Sequence, residues 1–431
     1  MKKRLKKLVA ALSVYYDKWV SEWASISQKP EVSSAAPGWL FFLYALLTFF
    51  LPWSVEVTLG DMGLIRLPSE VFTMAAGIGL VWYLWKNAGA RKSFFPTDSI
   101  SRLALLWWLW LSVCVFFSSM PLVSLKYWVV ETGQFFVFFI GLSGFSTWRL
   151  RLLALFTISM AGVVVFIMGH HAFYHFRADQ SMLATLPFFP DHTLYSAVLV
   201  MLLPIVWIVF RPRVACFFTI LFIAALILAS CRAAWLSLAL AFGCLAPAVF
   251  MKKRSVAGLV YVAGAGVIVA LLPFFKEKID RDVSSLERLN RYACAWRMAE
   301  QRPLTGWGPG TFQFQYLSFQ QPEEMTRISI TDPARDLRPD QMGRGGGAHS
   351  EYFQALAETG WPGLLWRALL IIAAAVTGIQ AWHSAPSKEQ QWLALAVTFA
   401  LLTFFIHALF NNFWHDGRVA WLVWGLLSRK S

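Results

Sequence analysis

Between Phe275 and Trp361 the chain carries nine arginines and, after Lys278, no lysine. A guanidinium is a planar fork that can meet two phosphate oxygens at once, whereas an ammonium is a point charge. The bias therefore fits a site for a phosphate or pyrophosphate. Twelve Asp and Glu share the segment, so a stretch solubilised by ion pairs is the other reading. Arg288 and Arg291 are three residues apart and project together if the segment is helical. Farther on, His349 and Tyr352 stand at a helix entrance directly after the joint Gly343-Arg344-Gly345-Gly346-Gly347.

Other candidates lie outside this segment. Arg232 sits between two apolar runs separated by only a residue or two, a costly place for a charge unless it is paired or functional. His170, His171 and His175 are close enough to suggest a metal, but their spacing matches no zinc pattern. Asp191 and His192 follow in the same connection. Glu131, Gln134 and His407 fall inside apolar runs, with Asn411, Asn412, His415, Asp416 and Arg418 just beyond. Ionisable residues within such runs are functional candidates or polar helix contacts. Asp280-Arg281-Asp282 forms a DxD triplet that could hold a divalent cation. No P-loop, Rossmann glycine fingerprint, HExxH or GxSxG occurs. The five cysteines form no CxxC pair, and neither a disulfide framework nor a zinc site is indicated.

The elements holding these residues are apolar. Of 431 residues 58% are hydrophobic and 14% charged, well below the quarter or so charged in soluble domains. The 37 Phe and 22 Trp suit a lipid-facing surface with interfacial belts. A net charge of +14 could mark a nucleic-acid binder, but the basic residues sit in short clusters between apolar runs, so no nucleic acid is expected. Twelve spans are predicted near 38–54, 71–85, 103–119, 127–146, 152–169, 193–210, 214–231, 233–251, 256–275, 361–381, 391–410 and 419–428. Every second connection is basic, beginning with Lys2 to Lys7, so both termini are predicted to be cytoplasmic. Residues 1–28 repeat apolar positions at three- and four-residue steps and are read as an amphipathic helix on the anionic inner leaflet. The chain is thus expected to be all-α, a multi-pass inner-membrane protein. Residues 38–275 hold spans one to nine, 276–360 form one large periplasmic loop, and 361–431 hold the last three spans.

The loop has structure of its own. Ser284-Ser285-Leu286-Glu287 reads as a capping box. Leu286, Leu289, Ala293 and Trp296 then form an apolar helical stripe, opposite Arg288 and Arg291. The helix should end before Arg302-Pro303. Gly306-Trp307-Gly308-Pro309-Gly310 must be a turn. A second helix beginning near His349 should stop at Gly360.

These residues resemble a known family. Asp191-His192-Thr193-Leu194-Tyr195-Ser196 with Pro204, and Ser230-Cys231-Arg232-Ala233-Ala234-Trp235-Leu236, are similar to signatures of the O-antigen ligase and polysaccharide polymerase superfamily. So are Arg291 and Trp296 followed by Pro303-Leu304-Thr305-Gly306-Trp307-Gly308, and Ala348-His349-Ser350-Glu351-Tyr352 with Glu358-Thr359-Gly360. Cys231, Ser350 and Thr193 depart from the residues usual in that family. The resemblance covers about residues 190 to 416.

The resemblance implies a GT-C-like helical fold with a periplasmic loop over a cavity. It implies inverting, metal-independent transfer of a glycan from undecaprenyl diphosphate to an acceptor hydroxyl, with no cofactor. For a ligase the acceptor is the lipid A–core oligosaccharide; for a polymerase it is another lipid-linked repeat. Arginines can stabilise charge building on the departing diphosphate. An imidazole can take the acceptor proton if its pKa is near working pH. On this reading His349 is the base, or at least the residue orienting the acceptor, Arg232 with Arg288 or Arg291 holds the diphosphate, and Asp191, His192, Tyr352, Glu131 and Trp307 contact substrate. Protein O-glycosylation is a further alternative within the class. A flippase would instead want inverted repeats and charges near the bilayer midplane.

Overall fold

The computed structural model describes residues 37–58, 64–95, 98–145, 148–175, 180–250, 282–326, 329 and 346–428. The expected amphipathic helix of 1–28, the span at 256–275, Asp280, Arg281 and the glycines from Gly343 to Gly345 lie outside the described residues.

The described apolar runs form helices, and so does one polar segment, Val283–Gln301. In chain order these are α1 (Gly38–Phe50), α2 (Ser69–Lys86), α3 (Ser99–Phe116), α4 (Pro121–Gln134), α5 (Arg149–Tyr174), α6 (His192–Val209), α7 (Pro212–Ala229), α8 (Arg232–Phe250), α9 (Val283–Gln301), α10 (Glu351–Ser384), α11 (Lys388–His407) and α12 (Gly417–Leu427). Among the described residues six are long and apolar enough to cross a bilayer: α3, α5, α6, α7, α10 and α11. Residues such as Phe116 (86% exposed) and Ile220 (70% exposed) point outward from these helices. A surface of that kind would drive association in water and suits lipid. The protein is an α-helical, multi-pass membrane protein. One departure from helix is a ribbon of β1 (Val55–Thr58) and β2 (Leu64–Leu67), antiparallel with Glu56 opposite Arg66.

The core is built around α11, which packs against α6, α8 and α10. After Gln134, α4 runs into a π-helical stretch, Phe135–Gly141, where the Tyr44 hydroxyl donates to the Val137 carbonyl at 3.0 Å. Such widened turns leave carbonyls open to partners outside the helix.

Several connections meet at one end of the bundle. Arg66 Nη2 is 3.5 Å from Asp416 Oδ2, and Gln134 Nε2 donates to the His415 carbonyl at 3.0 Å. The Ser119 amide donates to the Trp307 carbonyl at 2.9 Å, and Arg418 donates to the Phe188 carbonyl. At the other end Arg149 and Arg91 donate to the Leu142 and Leu84 carbonyls at 3.0 Å.

Candidate functional site

The loop helix α9 differs from its expected form in two ways. Its N-cap is Asp282, not a serine of a capping box. The Ser285 hydroxyl and Arg232 Nη2 both donate to Asp282 Oδ2 at 2.7 Å, which holds the Asp282 carboxyl below its ordinary range. Glu287 is therefore free of capping and turns inward. Its Oε1 accepts from Arg291 Nε at 2.9 Å and its Oε2 from the Thr326 hydroxyl at 2.7 Å. The second difference follows. The buried face of α9 is Glu287, Asn290, Arg291, Cys294 and Met298, while Leu289 (50% exposed) and Trp296 (46% exposed) face outward. A satisfied ion pair occupies the inside, and the apolar stripe is left to the surroundings.

Two glycines fix how the loop meets the bundle. Gly360 stands inside α10 with φ 71°, a left-handed conformation that breaks the helix as predicted, although Trp361 restarts it at once. The Trp361 amide donates to the Pro303 carbonyl at 2.9 Å. A β-carbon on Gly360 would lie 2.2 Å from the Leu304 carbonyl oxygen. Gly306 (φ 64°) opens the turn that follows, and Trp307 and Gly308 donate to the Ala357 and Glu358 carbonyls at 3.0 Å each. The glycine turn is thus plugged into the break in α10.

His349 precedes the Ser350 N-cap of α10 and has φ 51°. Arg291 Nη1 donates to the Gly347 carbonyl at 2.9 Å, and its guanidinium lies 4.8 Å over the Tyr316 ring. The Tyr292 hydroxyl lies 3.1 Å from the His349 carbonyl and 2.8 Å from that of Leu409, stitching α9 to α10 and to the end of α11. Burial, then Arg291 and Arg288, pushes the His349 imidazole down to about 3. The ring is thus neutral at physiological pH, and its lone pair is a weaker proton acceptor than that of an ordinary imidazole. Arg288, one turn from the entrance of α9, has a buried Nε with no hydrogen-bond partner among the described residues.

The structure brings His349, Arg288 and Arg291 together. Arg232 opens α8, is 75% exposed, and reaches this group through Asp282. The rise from Asp282 to Arg288 and Arg291 is about 9–14 Å along α9. Asp191 caps α6 through the Thr193 amide at 2.7 Å, and the Thr193 hydroxyl lies 3.4 Å from Asn411 Oδ1. His192 Nδ1 is 3.4 Å from Asp191 Oδ1. The Tyr352 hydroxyl donates to the Phe405 carbonyl at 2.8 Å and the Trp307 indole to that of Met298 at 3.0 Å. Both polar groups are therefore engaged by backbone. Glu131 is buried in α4, hydrogen-bonded to Tyr127 and within reach of the Arg367 charge. Among the described residues no three His, Cys, Asp or Glu converge as a metal would need.

The sequence reading missed Glu351 and Arg367, which form an ion pair. The Trp414 amide donates to Glu351 Oε1 at 2.6 Å. The Arg367 guanidinium lies between Trp107 and Trp414, 4.8 and 4.9 Å from their ring centres. An arginine inside the predicted span 361–381 was the available signal.

Fold and site define a multi-pass membrane protein with a cluster of guanidinium groups around one imidazole at one end of its bundle. Residues 217–366, about a third of the chain, match the family model described as O-Antigen ligase, which supports the resemblance to the O-antigen ligase superfamily. The matched stretch runs from α7 into α10 and includes Arg232, Arg288, Arg291, Trp307, His349 and Tyr352. No curated protein matches the chain.

Proposed function

We propose that this protein is an O-antigen ligase of the bacterial inner membrane. It would move a glycan from undecaprenyl diphosphate to a hydroxyl of the lipid A–core oligosaccharide on the periplasmic side. On this reading the chain has about twelve membrane helices in a GT-C-like arrangement, both termini are cytoplasmic, and 276–360 form the periplasmic catalytic loop. The observation that carries the proposal is the placement of His349 beside Arg288 and Arg291 within the matched domain.

The acceptor oxygen attacks the anomeric carbon from the face opposite the diphosphate, and configuration inverts. The new glycosidic C–O bond forms as the bond to the diphosphate oxygen breaks. Undecaprenyl diphosphate leaves with the electron pair, and His349 takes the acceptor proton. Arg288 and Arg232 neutralise the charge that builds on the leaving group, where one preorganised contact is typically worth about a hundredfold in rate or more. Arg291, tied to Glu287 and Gly347, holds the His349 segment and adds positive potential. Asp191, His192, Tyr352, Glu131 and Trp307 shape the walls that receive the two substrates.

Transfer by the purified protein from lipid-linked donor to lipid A–core tests the proposal. His349→Ala should abolish product while the protein still expresses; near-normal transfer would remove His349 from the mechanism. The glycolipid profile of a deletion strain separates the related reactions. Bare core with long chains retained on the carrier fits a ligase. Core bearing a single repeat fits a polymerase.

A further inference from the structure

The apolar stripe of α9 runs into a second apolar surface. Leu289, Ala293 and Trp296 fall within about 60° of one another around the helix, on the side opposite Glu287 and Arg291. Leu289 and Trp296 are exposed, and Ala293 between them is partly so. The Trp296 ring meets the Trp361 ring edge-on, with centroids 5.5 Å apart. Trp361 heads the part of α10 that follows the break at Gly360. Trp361, Leu365, Ile372 and Val376 are exposed and also lie within about 60° of one another, as the lipid-facing stripe of a spanning helix would. Leu304, 69% exposed, adjoins the same place, because the Trp361 amide donates to the Pro303 carbonyl. One apolar surface therefore passes from the lipid side of α10 onto the outer side of α9.

Both ends of α9 are fastened at the heads of membrane helices. Its N-cap Asp282 accepts from Arg232, the first residue of α8, and Trp235 and Leu236 are exposed one turn further along α8. Toward its other end stand the Trp361 contact and the Tyr292 hydroxyl, which donates to the Leu409 carbonyl just past α11. A helix of 19 residues is about 28 Å long. Held at both ends, it lies along the end of the bundle and does not stand out from it. The Trp296 indole donates to Glu300 Oε1 at 2.8 Å, so the ring can enter an apolar layer without stranding its donor. The Glu300 carboxylate must stay wet, which sets the level at the headgroups and not in the acyl core.

We propose that α9 lies flat in the headgroup layer of the membrane, with Leu289, Ala293 and Trp296 turned toward the acyl chains. An amphipathic helix placed this way is stabilised by the apolar area it buries. The stripe continues a surface that already faces lipid, so lipid is the occupant that covers both without a step between them. Glu287 and Arg291 face the other way. Arg291 holds the Gly347 carbonyl, which sets the His349 segment one helix diameter, about 10 Å, from the acyl boundary. The inference stands on the membrane spans and not on the ligase reading.

The full-length chain is placed in nanodiscs of phosphatidylethanolamine and phosphatidylglycerol, after Cys216→Ala and Cys244→Ala remove the exposed thiols. A nitroxide is attached at Leu289→Cys. Its collisions with oxygen, which partitions into acyl chains, are compared with those of a water-soluble nickel chelate. Oxygen should relax the label more strongly than nickel does, the sense expected for Ile372→Cys on the span. Glu323→Cys, an exposed position of the same loop, should show the reverse. A label at Ala293→Cys should agree with Leu289→Cys, and it decides the question if Leu289→Cys does not fold. Stronger relaxation by nickel at 289 and 293 places the stripe in water and overturns the proposal. Access by neither reagent means that protein covers the stripe, from a second copy or from elsewhere in the chain, and overturns it as well. Transfer is no part of the readout, so the ligase reading is untouched by either failure.

Discussion

Arg291 Nε lies 2.9 Å from Glu287 Oε1, and each side chain is only 3% exposed. The pair is one turn of α9 long, yet it orients two things at once. Arg291 continues to the Gly347 carbonyl, two residues before His349, while Glu287 continues to Thr326. Removing one partner of a buried pair typically costs about 3–5 kcal/mol, because the other charge is stranded. Glu287→Ala should therefore speed amide exchange across Val283–Gln301 by about a hundredfold or more. Glu287→Gln, which keeps an acceptor for Arg291, should do markedly less. Equal exchange in both variants would mean that the pair does not hold the loop helix.

The environment of His349 fixes the sign of a pH effect. Burial, Arg291 and Arg288 favour the neutral ring and bring its pKa down to about 3. A base lowered in this way is active above its pKa and is lost as pH falls through it. Transfer should therefore be level between about pH 5 and pH 8, with no inflection near the ordinary histidine value of about 6.5. Arg288→Gln removes one of the repelling charges, so the acid limb of the profile should move to higher pH along with any fall in rate. An acid limb that stays put in Arg288→Gln, or one near 6.5 in the wild type, would contradict this account of His349.

The site was legible in the sequence where residue type alone carries information. His349 beside a glycine joint, Arg288 three residues before Arg291, and the glycines at 306, 308 and 310 needed only local rules. The buried face of α9 was not legible. The usual rule puts the apolar stripe inward, but Leu289 and Trp296 face outward because Glu287, Arg291 and Asn290 satisfy one another or the loop within. The Glu351–Arg367 pair was hidden for a different reason. Sixteen residues of straight helix would separate its members by about 24 Å. They meet because α10 breaks at Gly360, and a pattern search that assumes an unbroken helix cannot pair them.

That break makes a sharp mutational prediction. Gly360→Ala must place a β-carbon 2.2 Å from the Leu304 carbonyl oxygen, at a φ of 71°. The backbone conformation alone costs about 1–2 kcal/mol for a residue with a side chain, and the clash cannot relax without withdrawing the Pro303–Gly310 segment. The variant should lose the meeting of Glu351 with Arg367 and elute as aggregate in size-exclusion chromatography. Gly169→Ala, where a β-carbon meets nothing within 4 Å, should behave as wild type. A monodisperse, active Gly360→Ala would show that the break does not organise the site.

Arg232 separates a structural from a chemical role for the outermost guanidinium. Its ion pair with Asp282 is short, 2.7 Å, but Arg232 is 75% exposed. An exposed pair contributes roughly 0–1 kcal/mol to stability. If pairing were all that Arg232 did, Asp282→Asn would reproduce the effect of Arg232→Ala. If Arg232 meets the departing diphosphate, Arg232→Ala should slow transfer by about a hundredfold with little change in unfolding midpoint, and Asp282→Asn should stay within about threefold of wild type. The same pair bears on a metal at Asp280 and Asp282. Asp282 Oδ2 is already engaged by Arg232 and Ser285, so EDTA should leave the transfer rate unchanged. Loss of activity on chelation, restored by magnesium or manganese and abolished in Asp282→Asn, would move the charge-neutralising role from the arginines to a bound cation.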